Sequence, residues 1–217
     1  MTEPLKLLQL FLKKNNLDAM LVPRTDEFLG EFIAPYAERL KWISSFSGSF
    51  GIAVIFHRKA AIFTDGRYTT QITKEVNSKR FSICHIKDFN YWLYKNLIQG
   101  STLAIDPRLF SSETINSLKS LLKKKSIIFH LLEKNPIDFF WKNQPKYPSS
   151  KVFFHHKIYS GKITKNKIIE IRKEMKKNAC NYYYITNLDS IAWLLNLRGS
   201  DVEYSPVNLA YFLLPLK

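Results

Sequence analysis

The sequence predicts an α/β protein: a mixed sheet flanked by helices, followed by a second, smaller and incomplete unit of similar type. Three observations carry that reading. Short aliphatic runs alternate with segments of helical apolar spacing from the first residue to about position 131. Two of those runs, 50–56 and 60–64, are separated only by His57, Arg58 and Lys59, the signature of a hairpin, so the sheet is not purely parallel. Beyond position 134 the texture changes to a proline-bearing stretch before the alternation resumes.

In chain order, residues 1–12 read as a helix, with Thr2 as cap, Pro4 in the first turn, and Leu5, Leu8, Phe11 and Leu12 on one face. A strand follows over 19–22, then Pro23 and the polar loop 24–27. Pro35 opens a helix running through Trp42. After the hairpin, Asp65-Gly66 turns the chain into a helix over 68–76. Next come a strand over 81–85, a helix over 89–98 and a strand over 103–105, stopped by Asp106-Pro107. Ser111 or Ser112 caps a helix through Leu122, and 126–131 closes the series as a strand. Pro136, Pro145 and Pro148 mark 135–150 as a linker. It separates a first domain, 1–134, from a partial second domain, 151–217. The second has a basic helix over 162–178, a strand over 182–185, a helix over 190–195 and a strand over 208–214. No internal repeat is apparent.

Composition narrows the function classes. With 217 residues, 46% apolar and 14% aromatic, the chain can bury a core, which excludes a disordered tail. The longest apolar stretch near the end, 209–214, is far short of the roughly 18 to 20 residues that span a bilayer. The opening helix is broken by Glu3, Lys6 and Gln9, unlike the solid apolar core of an export signal. Cys84 and Cys180 form neither a Cys-x-x-Cys pair nor a disulfide framework, so a reducing, cytoplasmic setting is expected. The net charge of +15 attracts anions and admits a nucleic-acid-binding reading. That excess is carried mainly by lysine beside abundant Ile, Asn, Phe and Tyr, the bias AT-rich codons produce. The most basic helix also carries Ile163, Ile168, Ile171 and Met175 as an apolar stripe, as a helix docked on a sheet does.

No phosphate-loop, dinucleotide, zinc-protease or serine-hydrolase motif occurs. Gly48-Ser49-Phe50-Gly51 reads as a turn entering a strand. His155 and His156 are adjacent and point to opposite faces of an extended segment, a poor arrangement for one metal. His57, His85 and His130 lie in or beside strands as structural residues. Three polar clusters sit at strand ends, where α/β folds expose functional groups: Arg24-Thr25-Asp26-Glu27, Asp65-Gly66-Arg67-Tyr68 and Asp106-Pro107-Arg108. Each pairs a carboxylate with an arginine, which also suits a turn held by a local ion pair.

The motifs combine into a resemblance. Residues 21–27 (LVPRTDE), 34–42 (APYAERLKW), 46–49 (FSGS) and 63–68 (FTDGRY) resemble the N-terminal domain of three-domain Xaa-Pro aminopeptidases, the aminopeptidase P group of the M24 metallopeptidase family. Residues 185–202 (ITNLDSIAWLLNLRGSDV) resemble a segment of that family's second domain. The resemblance implies a creatinase N-terminal-like fold, a mixed sheet between helices, and a hydrolase that removes the residue before proline. It also implies two manganese ions held by two Asp, one His and two Glu in a C-terminal catalytic domain. The sequence ends before any of those ligands, so no catalytic or metal residue carries over. The expected role is therefore that of a truncated, non-catalytic N-terminal portion that shapes the substrate cleft and makes oligomer contacts. Arg67, Tyr68 and Arg198 are the candidates for the cleft rim. The expected partners are an M24 catalytic domain in trans and further copies of the chain, with proline-containing peptides bound only alongside that domain. Specific nucleic-acid and membrane binding are not expected. A basic nucleic-acid-binding protein and a stand-alone interaction module remain the alternatives.

Overall fold

The computed structural model describes residues 3–217, so the expected Thr2 cap lies outside the described residues; Glu3 holds the N-cap position of the first helix without a side-chain cap bond. The chain divides into two compact units, one comprising the chain up to Leu29 with Pro35–Pro145, the other Gly30–Ala34 with Lys146–Lys217.

The first unit is a six-stranded sheet between helices. Helix α1 (Pro4–Lys14) starts on a proline, whose missing N–H costs nothing there, and buries Leu5, Leu8 and Leu12. Strand β1 (Ala19–Pro23) is buried throughout. Then come α2 (Arg39–Ser44), β2 (Ile52–Phe56), β3 (Ala60–Thr64), α3 (Thr69–Glu75), β4 (Ser82–His85) and α4 (Phe89–Asn96), followed by β5 (Thr102–Ile105), α5 (Ser112–Leu122) and β6 (Ile128–Leu131). The sheet order is β4-β3-β2-β1-β5-β6. β2 is antiparallel to β1 and β3; every other pairing is parallel. The pleat sends Met20, Val22, Ala53, Ile55 and Ile62 to the face covered by α1, α2 and α3. Ala19, Leu21, Val54, Ala61 and Phe63 face Leu93 and Leu97 at α4 and Leu118 and Leu122 of α5. A sheet covered on both faces explains why its central strands read as unbroken apolar runs.

Two departures from the expectation matter most in the first unit. The helix expected from Pro35 to Trp42 breaks at Glu38, leaving a 3-10 turn over Pro35–Ala37 before α2. The proposed linker 135–150 is the larger correction. Asn135 accepts the Ile137 N–H at 3.1 Å and Pro136 occupies the first turn, so α6 (Pro136–Phe140) forms there, burying Pro136 and Ile137 in the first unit. Prolines signal a helix start as readily as a linker.

In the second unit, β7 (Phe153–Phe154), α7 (Lys157–Ser160) and α8 (Thr164–Lys177) precede β8 (Tyr182–Ile185), α9 (Leu188–Leu195), β9 (Leu197–Arg198) and β10 (Phe212–Pro215). β7 pairs with β9 and β8 with β10, both antiparallel. Ile168 and Ile171 of α8 pack against Ile185, Ile191 and Leu194. The last strand begins at Phe212 and not at Asn208, because Asp201 draws 208–209 out of line: its Oδ2 accepts the Leu209 N–H at 2.9 Å.

From α8 onward the second unit repeats the start of the first, a repeat that the sequence reading missed. Asn15 caps α1 by donating Nδ2 to the Phe11 carbonyl at 2.8 Å, and Asn178 caps α8 by donating to the Glu174 carbonyl at 2.8 Å. The next residues, Asn16 and Ala179, are left-handed at φ 54° and 52°, and the strand follows. The helix after that strand, α2 or α9, carries a tryptophan, Trp42 or Trp193, ends in a left-handed residue, Ser45 or Asn196, and leads to Gly48-Ser49 or Gly199-Ser200. Both glycines lie under a side chain. A Cβ on Gly48 would come within 2.3 Å of the Phe46 ring, and one on Gly199 within 2.0 Å of Asn208 Nδ2.

Candidate functional site

Strand direction gathers the polar clusters of the first unit. β1, β3, β4, β5 and β6 run the same way, so the segments after Pro23, Thr64, His85 and Ile105 all leave the sheet at one edge. Antiparallel β2 enters from that same edge, just after Gly48-Ser49. The carboxyl edge is where open α/β sheets place ligands.

Each cluster is built by its own turn. Asp65 accepts the Arg67 N–H at 3.0 Å and takes the Arg67 guanidinium on both oxygens. That guanidinium hydrogen bond holds the Asp65 carboxyl below its ordinary pKa. The Arg67 side chain stays 58% exposed, with its guanidinium carbon 5.2 Å from the centre of the Tyr68 ring. The Tyr68 hydroxyl shares a 2.5 Å hydrogen bond with Ser49 Oγ, which fixes the phenol over Gly48-Ser49. Asp106 repeats the pattern, capping its turn through the Arg108 N–H and receiving the Arg108 side chain at 3.0 and 2.7 Å. Burial pushes the Asp106 carboxyl up, but hydrogen bonds from Arg108 and Asn135 outweigh it and hold the group below its usual value. In both turns the carboxylate and arginine form a local ion pair.

Arg24 behaves differently. Its guanidinium reaches Glu38 Oε1 at 2.8 Å and the Ser49 carbonyl at 3.0 Å, tying the end of β1 to the segments before α2 and β2. Beside it, buried Arg39 clasps Asp138 of α6 at 2.7 and 2.9 Å, and Gln144 bridges Asp138 to the Tyr36 carbonyl. Ser49, Glu38, Arg39, Asp138 and Gln144 were missed in the sequence. No short-range pattern marks them, since Arg39 and Asp138 are 99 positions apart.

Of the three candidates, Arg67 and Tyr68 stand together on this edge, and Arg198 lies in the second unit. There its Nη1 donates to the carbonyls of Ala192 and Leu197 at 2.9 and 2.8 Å, closing the end of α9. Nearby, Lys167 of α8 is drawn into the interior. It is 1% exposed, with Nζ donating to the Trp193 carbonyl and Asn196 Oδ1, both at 2.6 Å, and lying 4.3 Å from the centre of the Trp193 ring. Burial, then the positive charges of Arg198 and Lys162, lower its pKa.

The donor set does not fit a metal. Among the described residues no three His, Cys, Asp or Glu side chains come together to hold one. His156 Nδ1 instead accepts the Ile158 N–H. No described helix is long and apolar enough to cross a membrane.

Comparison with known proteins places this architecture. The family profile described as "Creatinase/Prolidase N-terminal domain" matches residues 4–130, and a second profile of the same description matches 143–217. A protein of Pyrenophora teres named "Probable Xaa-Pro aminopeptidase P" is 36% identical over 97% of this chain and 33% of its own length. One of the same name from Paracoccidioides lutzii is 36% identical over 97% of this chain and 35% of its own length. An X-prolyl aminopeptidase of Caenorhabditis elegans, described as a cytosolic enzyme with a di-nuclear active site, superposes with a TM-score of 0.87 at 30% identity. It covers 93% of this chain and 34% of its own. The chain thus spans about a third of the length of the relatives it matches. Its sheet between helices and these matches agree: the chain belongs to the creatinase/prolidase N-terminal domain family.

Proposed function

We propose that this chain acts as the non-catalytic N-terminal portion of an Xaa-Pro aminopeptidase, shaping the substrate cleft and oligomer contacts of that family's metallopeptidase domain. The observation that carries the reading is the match to Xaa-Pro aminopeptidase P sequences over 97% of the chain. Bound metal would supply that domain with activated water for hydrolysis; no residue of this chain is assigned to hold it. The chain's own contribution is binding and orientation. Arg67, its guanidinium clasped by Asp65 yet with the side chain 58% exposed, offers a positive charge to a peptide carbonyl or carboxylate, and Tyr68 presents a phenol held by Ser49. Arg198, tied to the end of α9, is the rim candidate of the second unit. A cytoplasmic setting accords with two free cysteines and with the cytosolic description of the Caenorhabditis elegans enzyme.

The test is reconstitution. Co-expressed with an aminopeptidase P catalytic polypeptide and manganese, the chain is expected to support release of the residue before proline. Arg67→Ala is expected to raise KM severalfold, leaving kcat and the far-ultraviolet spectrum unchanged. Unchanged kinetics in that variant would remove Arg67 from the rim, and manganese-dependent hydrolysis by this chain alone would overturn the reading.

A further inference from the structure

At the amino edge of the first-unit sheet, opposite the clusters described above, positive charge is left without carboxylates. The ends of α1, β2 and α4 and the approaches to β1, β3, β5 and β6 meet there, because β2 alone runs against the other strands. Lys13, Lys14, Lys95 and the lysine run 123–125 stand along it, and Asp18 is the one carboxylate of segments 13–18, 57–59, 95–101 and 123–127. At the other edge Asp65, Asp106, Glu38 and Asp138 each hold an arginine. A cleft of about 360 Å³ opens at the amino edge between the hairpin turn 56–59 and the segment 96–101. The turn is pinned on both sides of Arg58: His57 Nε2 donates to the Leu17 carbonyl at 2.7 Å, and Lys59 Nζ donates to Asn96 Oδ1 at 2.6 Å. Arg58 itself lines the cleft with no partner for its guanidinium among the described residues. Ser101 lines it too and is only 4% exposed. Its N–H and carbonyl are bound to Ile98 and Ile128, but its hydroxyl meets no partner among the described residues. A hydroxyl so enclosed costs free energy until an oxygen meets it. Phe56 and Ile98, the latter 73% exposed, add apolar wall.

We propose that this cleft binds a small phosphomonoester with an apolar or aromatic body, at a site separate from the rim residues of the proposed function. The Arg58 guanidinium takes the phosphate oxygens in its planar fork, the Ser101 hydroxyl donates to one of them, and Phe56 and Ile98 cover the body. The volume suits a ligand of that size. The unbalanced lysines around the cleft favour a doubly charged phosphate over a singly charged carboxylate, since the attraction scales with ligand charge. Asp18 also lines the cleft and opposes an anion; one of its oxygens is occupied by the Thr102 N–H at 2.8 Å.

The experiment titrates the full chain, in a phosphate-free buffer, with phenyl phosphate and separately with inorganic phosphate and benzoate. Calorimetry gives the affinity and amide chemical shifts give the place. Phenyl phosphate is expected to bind with a Kd below about 1 mM, at least about fivefold tighter than either comparison anion, and to move the amide signals of 57–59 and 98–101. Arg58→Ala is expected to weaken it at least about tenfold and Ser101→Ala about threefold. Asp18→Asn keeps an acceptor for the Thr102 N–H and removes the opposing charge, so it is expected to tighten binding severalfold. Lys142→Ala removes one exposed charge beyond α6 and is expected to change the affinity less than twofold. No binding at about 10 mM phenyl phosphate, shifts confined to other segments, or equal losses in Arg58→Ala and Lys142→Ala would overturn the site. Inorganic phosphate or benzoate binding as tightly as phenyl phosphate would overturn the class of ligand.

Discussion

Asp106 illustrates how a buried carboxylate is kept charged. At 1% exposure it would favour its neutral form, yet Arg108 and Asn135 bind the ionised one. Its folded pKa lies below the unfolded value, so its contribution is present above the unfolded pKa and is lost as pH falls through the folded one. Asp106→Asn is therefore expected to cost about 1 to 3 kcal/mol at neutral pH. The gap from wild type should narrow below about pH 4. Urea unfolding at pH 7 and pH 3 measures both, and a pH-independent gap would refute the assignment. Asp106-Arg108 and Asp65-Arg67 were legible in the sequence because their partners are two residues apart. Arg24-Glu38 and Arg39-Asp138 were not, since only the folded sheet edge brings them together. Lys167 went unremarked in the sequence for a different reason. It stands one helical turn before Ile171 on the apolar stripe, a spacing that outweighs the usual assumption that lysine is wet.

Among the elements, α6 is the one whose reading most needs an independent check. If 135–150 were a linker, its side chains would be dispensable, yet Ile137 is wholly buried and Phe140 meets Phe11 of α1 edge-on at 6.1 Å. Ile137→Ala is expected to lower the stability of the first unit by about 2 to 5 kcal/mol. Chemical denaturation monitored by tryptophan fluorescence checks this, because Trp42 and Trp141 stack beside that helix. A cost below about 0.5 kcal/mol, ordinary for a surface position, would return the segment to a linker. The strands of the sheet were legible because burial on both faces makes them short unbroken apolar runs, and its long helices because burial on one face imposes a period of 3.6. β7 and β9, two residues each, are too short to show any period and passed unread.

At the scale of the whole molecule the charge is the property most open to misreading. The lysines in and just before α8 are partly engaged, Lys177 with Glu174, Lys162 with Glu170 and Lys167 in the interior. The remaining excess is expected to bind duplex DNA or RNA only weakly and without sequence preference, at about 10⁻⁴ to 10⁻⁶ M near physiological salt. Fluorescence anisotropy at about 0.15 M salt decides it. Affinity tighter than about 10⁻⁷ M with discrimination between sequences would favour a nucleic-acid-binding protein instead. The repeat between the units escaped the sequence reading because few side chains are shared. What recurs is backbone geometry, a left-handed residue after each capping asparagine and a glycine beneath a side chain, and most residue types can surround it. Its two copies differ in their connections. Between β1 and α2 lie residues 24–38 and between β8 and α9 only 186–187, whereas between α2 and β2 lie 45–51 and between α9 and β10 lie 196–211. One strand-helix-strand frame thus accommodates both a long and a minimal passage at the same point, which marks that passage as a place where chain length can change without disturbing the frame, a ready entry point for an inserted loop or label.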